Sequence, residues 1–191
     1  LPPEHFFSAV RSGIRYVHAA PVLRNVLVRT VAFFVFGSAG WALLPLVARR
    51  ELGLGPAGYG VMLACIGLGA IAGAILLPRL RQRLDADRLM VAASLTFALT
   101  MLALAFVRHV WLLNLFEFFT GFAWIAVLST LNLGAQRSAA RWVKARALAV
   151  YLTVFFGSMT AGSAIWGQIA SRFGTPTSLV VATLGMVLAS A

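Results

Sequence analysis

Six stretches of this chain carry no charged side chain: Thr30–Ala48, Leu52–Pro78, Leu89–Val107, Phe118–Gln136, Ala147–Ser171 and Phe173–Ala191. A bilayer core about 30 Å thick calls for roughly 20 apolar residues at 1.5 Å each, and every run is close to that length or longer. In water, runs of this kind must be hidden beneath a polar surface. Only 11% of the 191 residues are charged, against about 25% in soluble domains, so the chain cannot supply one. A membrane barrel would alternate in and out over about ten residues, and "MLACIGLGAIAGAILL" does not alternate. The sequence predicts an all-α membrane protein built as a six-transmembrane-helix bundle.

The expected helices run over about 23–48, 57–78, 88–107, 110–135 and 146–171, with a sixth starting near Thr177. The first run is no signal peptide, because it lies behind a charged stretch and no small-residue cleavage site follows it. The chain opens on Leu1, and its last run stops at Ala191. It reads as a piece of a longer protein with the final helix cut short. Residues 1–22 form a separate segment: Phe7, Val10, Ile14 and Val17 recur at helical spacing beside Arg11, Arg15 and His18. That pattern fits a helix lying on the inner leaflet or a linker helix packed on protein, and Pro21 would end it. Cys65, the single cysteine, rules out a disulfide framework and a cysteine-based metal site.

A net charge of +11 raises the question of nucleic acid, but its distribution points elsewhere. With the N-terminus cytoplasmic and six helices alternating sides, the inner segments hold Arg11, Arg15, Arg24, Arg29, Arg79, Arg81, Arg83, Arg88, Arg137, Arg141, Lys144 and Arg146. The outer loops hold only Arg49, Arg50, Arg108 and Arg172. Such an imbalance is the positive-inside bias. The partner it implies is the lipid bilayer, not nucleic acid.

Within the membrane, small residues recur four apart. Gly69 and Gly73 form one such pair in helix two, and Gly157–Ala161, Ser158–Gly162 and Ser163–Gly167 repeat the spacing in helix five. These let helix backbones approach closely, for static packing or for relative movement. "FFVFGSAGW" at 33–41 and "FEFFTGFAW" at 116–124 resemble each other. A three-helix unit used twice with opposite orientation, a 3+3 inverted repeat, would produce this; so would chance among Phe-rich segments.

Glu117 is the one acidic residue inside an expected span. A charge there is expensive, so such groups face a bundle interior or a wet cavity. At 100° per residue, Asn114, Glu117, Gly121, Trp124, Leu128 and Asn132 fall on one stripe of helix four. Helix one carries a matching stripe of Thr30, Phe34, Ser38, Trp41 and Pro45. Together they describe a half-polar, aromatic-lined cavity wall, with helix three, lacking such a face, turned toward lipid. Glu117 is the proton-coupling or cation-binding candidate; a structural hydrogen-bonding role or an interfacial position would also place a carboxyl there. His109, on nearly the same face, either shares its proton or sits at the interface. No H-E-x-x-H and no phosphate-loop motif occurs, His5, His18 and His109 are scattered, and Asp85 and Asp87 fall in an expected loop. Neither enzyme, cofactor nor metal is expected.

The chain resembles the C-terminal half of a major facilitator superfamily transporter, in the branch of the bacterial enterobactin (siderophore) exporters and related drug-efflux proteins. "WALLPLVARRELGLGPAGYG", "GAILLPRLRQRLDADRL" and "LSTLNLGAQRSAARWVKARALAVY" running into "FFGSMTAGSAIWG" carry the likeness. It covers nearly the whole chain, with 1–22 matching the linker between two six-helix halves and 23–191 matching helices seven to twelve. The superfamily's cytoplasmic loop motif is represented by Gly73, Arg79, Arg81 and Arg83, while its Asp and second Gly are replaced around Leu77, Pro78 and Leu80. The resemblance implies alternating-access efflux of a hydrophobic or amphiphilic small molecule across the bacterial inner membrane, coupled to proton entry. It also implies that an N-terminal six-helix half completes the site. A non-transporting scaffold or sensor with the same fold is the alternative.

Overall fold

The computed structural model of the protein describes residues 20–138 and 144–190. The proposed surface segment and the part of the second basic loop that holds Arg141 lie outside the described residues. Six helices are described: α1 Pro21–Leu46, α2 Pro56–Arg83, α3 Ala86–Phe106, α4 Val110–Arg137, α5 Lys144–Phe173 and α6 Thr175–Ser190.

Local chemistry explains the helix ends. Pro21 and Pro56 stand in the first turns of α1 and α2, where a missing N–H leaves no bond unmade. Asp87 lies in the first turn of α3, and Arg81, Arg83, Arg137 and Arg172 lie in the last turns of α2, α4 and α5. Each sign complements the helix dipole at its end. Near the end of α1, Pro45 interrupts the hydrogen-bond ladder, and Val47–Glu51 continues as a wider π-type turn. Gly174 alone joins α5 to α6 at φ +87°, a conformation a side chain resists.

The bounds differ from the sequence expectation at one informative place. Helix two was expected to stop at Pro78, yet α2 continues to Arg83. Arg79, Arg81 and Arg83 are therefore helical, as Gly73 was expected to be, and only Leu84 and Asp85 connect α2 to α3. A proline removes one N–H and crowds one carbonyl, but neighbouring polar groups can absorb that in a membrane helix. Arg81 helps to tether this last stretch by donating to Ser129 Oγ of α4 at 2.8 Å. Pro21 opens α1.

The most extensive pairings are α2 with α4 and α1 with α5, followed by α3 with α4, α3 with α6 and α1 with α6. Exchanging the triplets α1–α3 and α4–α6 maps this pattern onto itself. The atoms agree. Aligning 33–41 with 116–124 carries Val35 onto Phe118 and Ser38 onto Gly121. A Cβ on Gly69 of α2 would run into the Phe118 carbonyl, and a Cβ on Gly162 of α5 would run into the Val35 carbonyl. Gly121 meets the Ile66 carbonyl of α2, and Ser38 lies against Gly162. Equivalent positions thus make equivalent crossings, as a twice-used three-helix unit requires. Of the expected small-residue pairs in α5, only Ser158–Gly162 is buried; Gly157 and Gly167 meet nothing within 4 Å.

One expectation is overturned. Helix three was to face lipid, yet α3 is the most enclosed span, with 61% of its apolar window buried, against 17% for α5. The reason is packing. Ala93, Ala98, Ala103 and Ala105 are buried together with Phe97, Met101 and Leu104, while Val91, Leu95, Leu99 and Phe106 are exposed. Among helices in lipid, hydrophobicity does not choose the inner face; van der Waals packing does.

Candidate functional site

The middle of the bundle is aromatic. Phe34 of α1 meets Trp124 of α4 edge-on at 5.2 Å and Phe155 of α5 at 4.4 Å. Trp41 meets the same Trp124 at 5.3 Å, and Phe33 and Phe97 close the cluster at 5.4 Å from each other. Edge-to-face pairs of this kind each contribute about 0.5–1.5 kcal/mol beyond the area they bury. The two stripes anticipated on helices one and four therefore do meet, through Phe34, Trp41 and Trp124.

Glu117 takes the place on α4 that Phe34 takes on α1 under the same alignment. Only 2% of it is exposed. It borders a cavity of about 10 Å³, in the volume open to the centre of a water-sized sphere. Gly40, Trp41 and Leu44 line it from α1, Ile66 from α2, Thr120 from α4, and Phe97, Thr100, Met101 and Leu104 from α3. The lining contains no cationic side chain. Thr100 donates its hydroxyl proton to the Phe97 carbonyl of its own helix at 2.8 Å, while the Thr120 hydroxyl has the Phe116 carbonyl at 3.2 Å and the Glu117 carboxyl within hydrogen-bond reach. Trp41 Nε1 is buried without a partner, as is Asn114 Oδ1 one turn away from Glu117.

The remaining anticipated positions divide by contact. Thr30 and Ser38 are fully buried and donate to the Val26 and Val35 carbonyls, at 2.7 and 2.8 Å. Gly121 lies at the crossing with α2, not in the cavity lining. Asn132 is half-buried and accepts from Gln136 Nε2 at 2.5 Å. His109 is exposed beside the start of α4. Arg79 and Arg83 are exposed, whereas Gly73 is buried against Phe122 and Ile125.

Several groups escaped the sequence reading. Trp166 Nε1–H donates to the Val35 carbonyl at 2.6 Å across the α1–α5 crossing, and Ser178 Oγ–H donates to the Trp166 carbonyl at 3.0 Å. Arg29 pairs with Asp87 between α1 and α3, and Arg108 pairs with Glu51 at 3.1 Å at the opposite end. The Arg29–Asp87 pair borders a second cavity of about 190 Å³, lined also by Met90, Ser94 and Met186. The Thr100 and Leu104 contribution to the Glu117 cavity was hidden by the expected orientation of helix three. No cluster able to hold a metal ion occurs among the described residues.

Six helices, five of them long and apolar enough to cross a bilayer, with a carboxyl enclosed among four, define a multi-pass membrane protein of the transporter kind. The chain belongs to the transmembrane secretion effector family, of major facilitator type, which it matches over residues 1–191. That is a family of transporters, not of enzymes. No curated protein and no solved structure is significantly similar to the chain.

Proposed function

We propose that the chain is the C-terminal half of a proton-coupled exporter of the siderophore and drug-efflux branch. It would move a hydrophobic or amphiphilic small molecule out across the bacterial inner membrane by alternating access, with the N-terminus of this half cytoplasmic. The observation that carries the reading is Glu117: a carboxyl 2% exposed, two turns inside α4, in a lining without a cation. A permanent charge in such surroundings is costly, and a group that can take up and release a proton there suits coupling. Half-buried Trp41, Trp124 and Asn132 are the positions best placed to meet substrate as the helices rock. Thr30, Phe34, Ser38, Asn114 and Gly121 hold the surrounding wall. The missing six-helix half would pack on α2 and α5, whose exposed glycines Gly60, Gly67, Gly157 and Gly167 leave room for a close neighbour.

The test is efflux by the intact protein in vesicles under an imposed pH gradient, using dyes and siderophores as cargo. Glu117→Gln should abolish the response of efflux to the gradient while leaving the protein's abundance in the membrane unchanged. A Glu117→Gln protein that still follows the gradient removes the assignment.

A further inference from the structure

We infer that the Glu117 cavity is a binding site for one water molecule, held between the Trp41 indole N–H of α1 and the Glu117 carboxyl of α4. Its volume of about 10 Å³ matches the least that holds a water, on the order of 10–15 Å³ by this measure. A buried water also needs two to four polar partners, and the lining offers them. Trp41 Nε1 is a donor without an acceptor, and an indole has no other polar group. Glu117 needs donors, and the lining gives it few. Thr100 directs its proton at the Phe97 carbonyl, and Thr120 has a single proton to share between the Phe116 carbonyl and the Glu117 carboxyl. Their oxygens still have lone pairs to accept with.

Water reconciles these needs. It accepts from Trp41 and donates two protons, one to Glu117 and one to a threonine oxygen. A dehydrated metal cation does not, because an N–H donor repels it and Leu44, Met101 and Leu104 offer it no ligand oxygen. Leaving the indole N–H unmet would cost about 1–3 kcal/mol, so the site is worth filling. The water links the first helix of one repeat to the first helix of the other. Where Glu117 serves as the exchanging carboxyl proposed above, this molecule is its immediate proton partner: it donates to the carboxylate, or turns and accepts from the acid, without a helix having to move.

Water-to-indole magnetisation transfer on the full-length protein, ¹⁵N-labelled at tryptophan in lipid bilayers, reads this site without any transport. The Trp41 signal is identified by its disappearance in Trp41→Phe. The expected result is a water contact at the Trp41 N–H that is kept in Glu117→Gln, which retains an acceptor, and lost in Glu117→Leu. The Trp166 indole, bonded to the Val35 carbonyl, reports whether each variant keeps its fold. A dry Trp41 indole in the unaltered protein overturns the site, and so does a contact undiminished by Glu117→Leu in a protein whose Trp166 signal is unmoved. Should Glu117→Leu disturb Trp166, the unaltered protein and Glu117→Gln still decide, each by presence or absence of the contact. Failure of proton coupling alone would leave the water standing, so the two ideas fall separately.

Discussion

The sharpest consequence of the repeat concerns one methyl group at Gly69. A Cβ there would overlap the Phe118 carbonyl of α4, and ordinary contact begins at about 3.4 Å. The obstacle is backbone in the middle of a helix, so no rotamer change relieves it, and α2 and α4 must move apart. Overpacking of this kind costs about 1–3 kcal/mol, and the separation also loosens the Gly73 and Gly121 contacts on the same crossing. A gap of 0.5–1 Å forfeits roughly a quarter to a half of each dispersion contact. Against this stands the helix preference of Ala over Gly, about 1 kcal/mol. The balance for Gly69→Ala is a loss of about 2 kcal/mol. At Gly37 the sums reverse, because an added Cβ would sit 3.4 Å from Met186 and 3.5 Å from Phe33, and the propensity gain of about 1 kcal/mol is uncompensated. The two variants should differ by about 3 kcal/mol, more than a hundredfold in the unfolding equilibrium at 1.36 kcal/mol per factor of ten.

Reversible unfolding of the intact protein in mixed micelles, titrated with denaturing detergent, measures the difference. Gly162→Ala, the equivalent position in the second repeat, should also lose stability, though less, because the Ser38 hydroxyl can turn aside and the Val35 carbonyl stands farther from its Cβ than the Phe118 carbonyl does from that of Gly69. A Gly69→Ala protein as stable as Gly37→Ala would refute the close crossing and the symmetry argument with it.

Trp166→Phe keeps the ring but deletes the bond to the Val35 carbonyl; the same titration should show a loss of about 1 kcal/mol, the usual worth of such a bond between membrane helices. Gly174→Ala forces a side chain into φ +87° and should destabilise by about 1–2 kcal/mol, while Gly174→Asn, more tolerant of that region, should lose less.

The spans were legible because an apolar run of bilayer length has one cheap solution, and six such runs led to six helices. The Glu117 stripe was legible for the converse reason, a carboxyl being too costly to face lipid. Other features depended on information that periodicity does not hold. The continuation of α2 past Pro78 rests on contacts such as Arg81 to Ser129. The Trp166–Val35 bond joins residues 131 positions apart, and nothing local in either segment announces it. The cavity partners of Glu117 on α3 were lost with the orientation of that helix.

Small residues have a further use in this bundle. In α3 no charge follows Arg88, so hydropathy is mute there, and the buried Ala93, Ala98, Ala103 and Ala105 let the helix come close beside the buried Phe97, Met101 and Leu104. On α2 and α5 a whole set of small residues lies uncovered. Gly60, Ala64 and Gly67 of α2 and Gly157, Ala161, Ala164 and Gly167 of α5 are exposed, although small residues belong where backbones meet. Helices that ended against lipid would have no use for such faces, and their loss of helix propensity at each glycine, about 1 kcal/mol, would go unrepaid. The breach falls on the second helix of each repeat, on equivalent elements. It supports the view that both surfaces are covered by the same kind of neighbour, a second six-helix half closing over α2 on one side and α5 on the other.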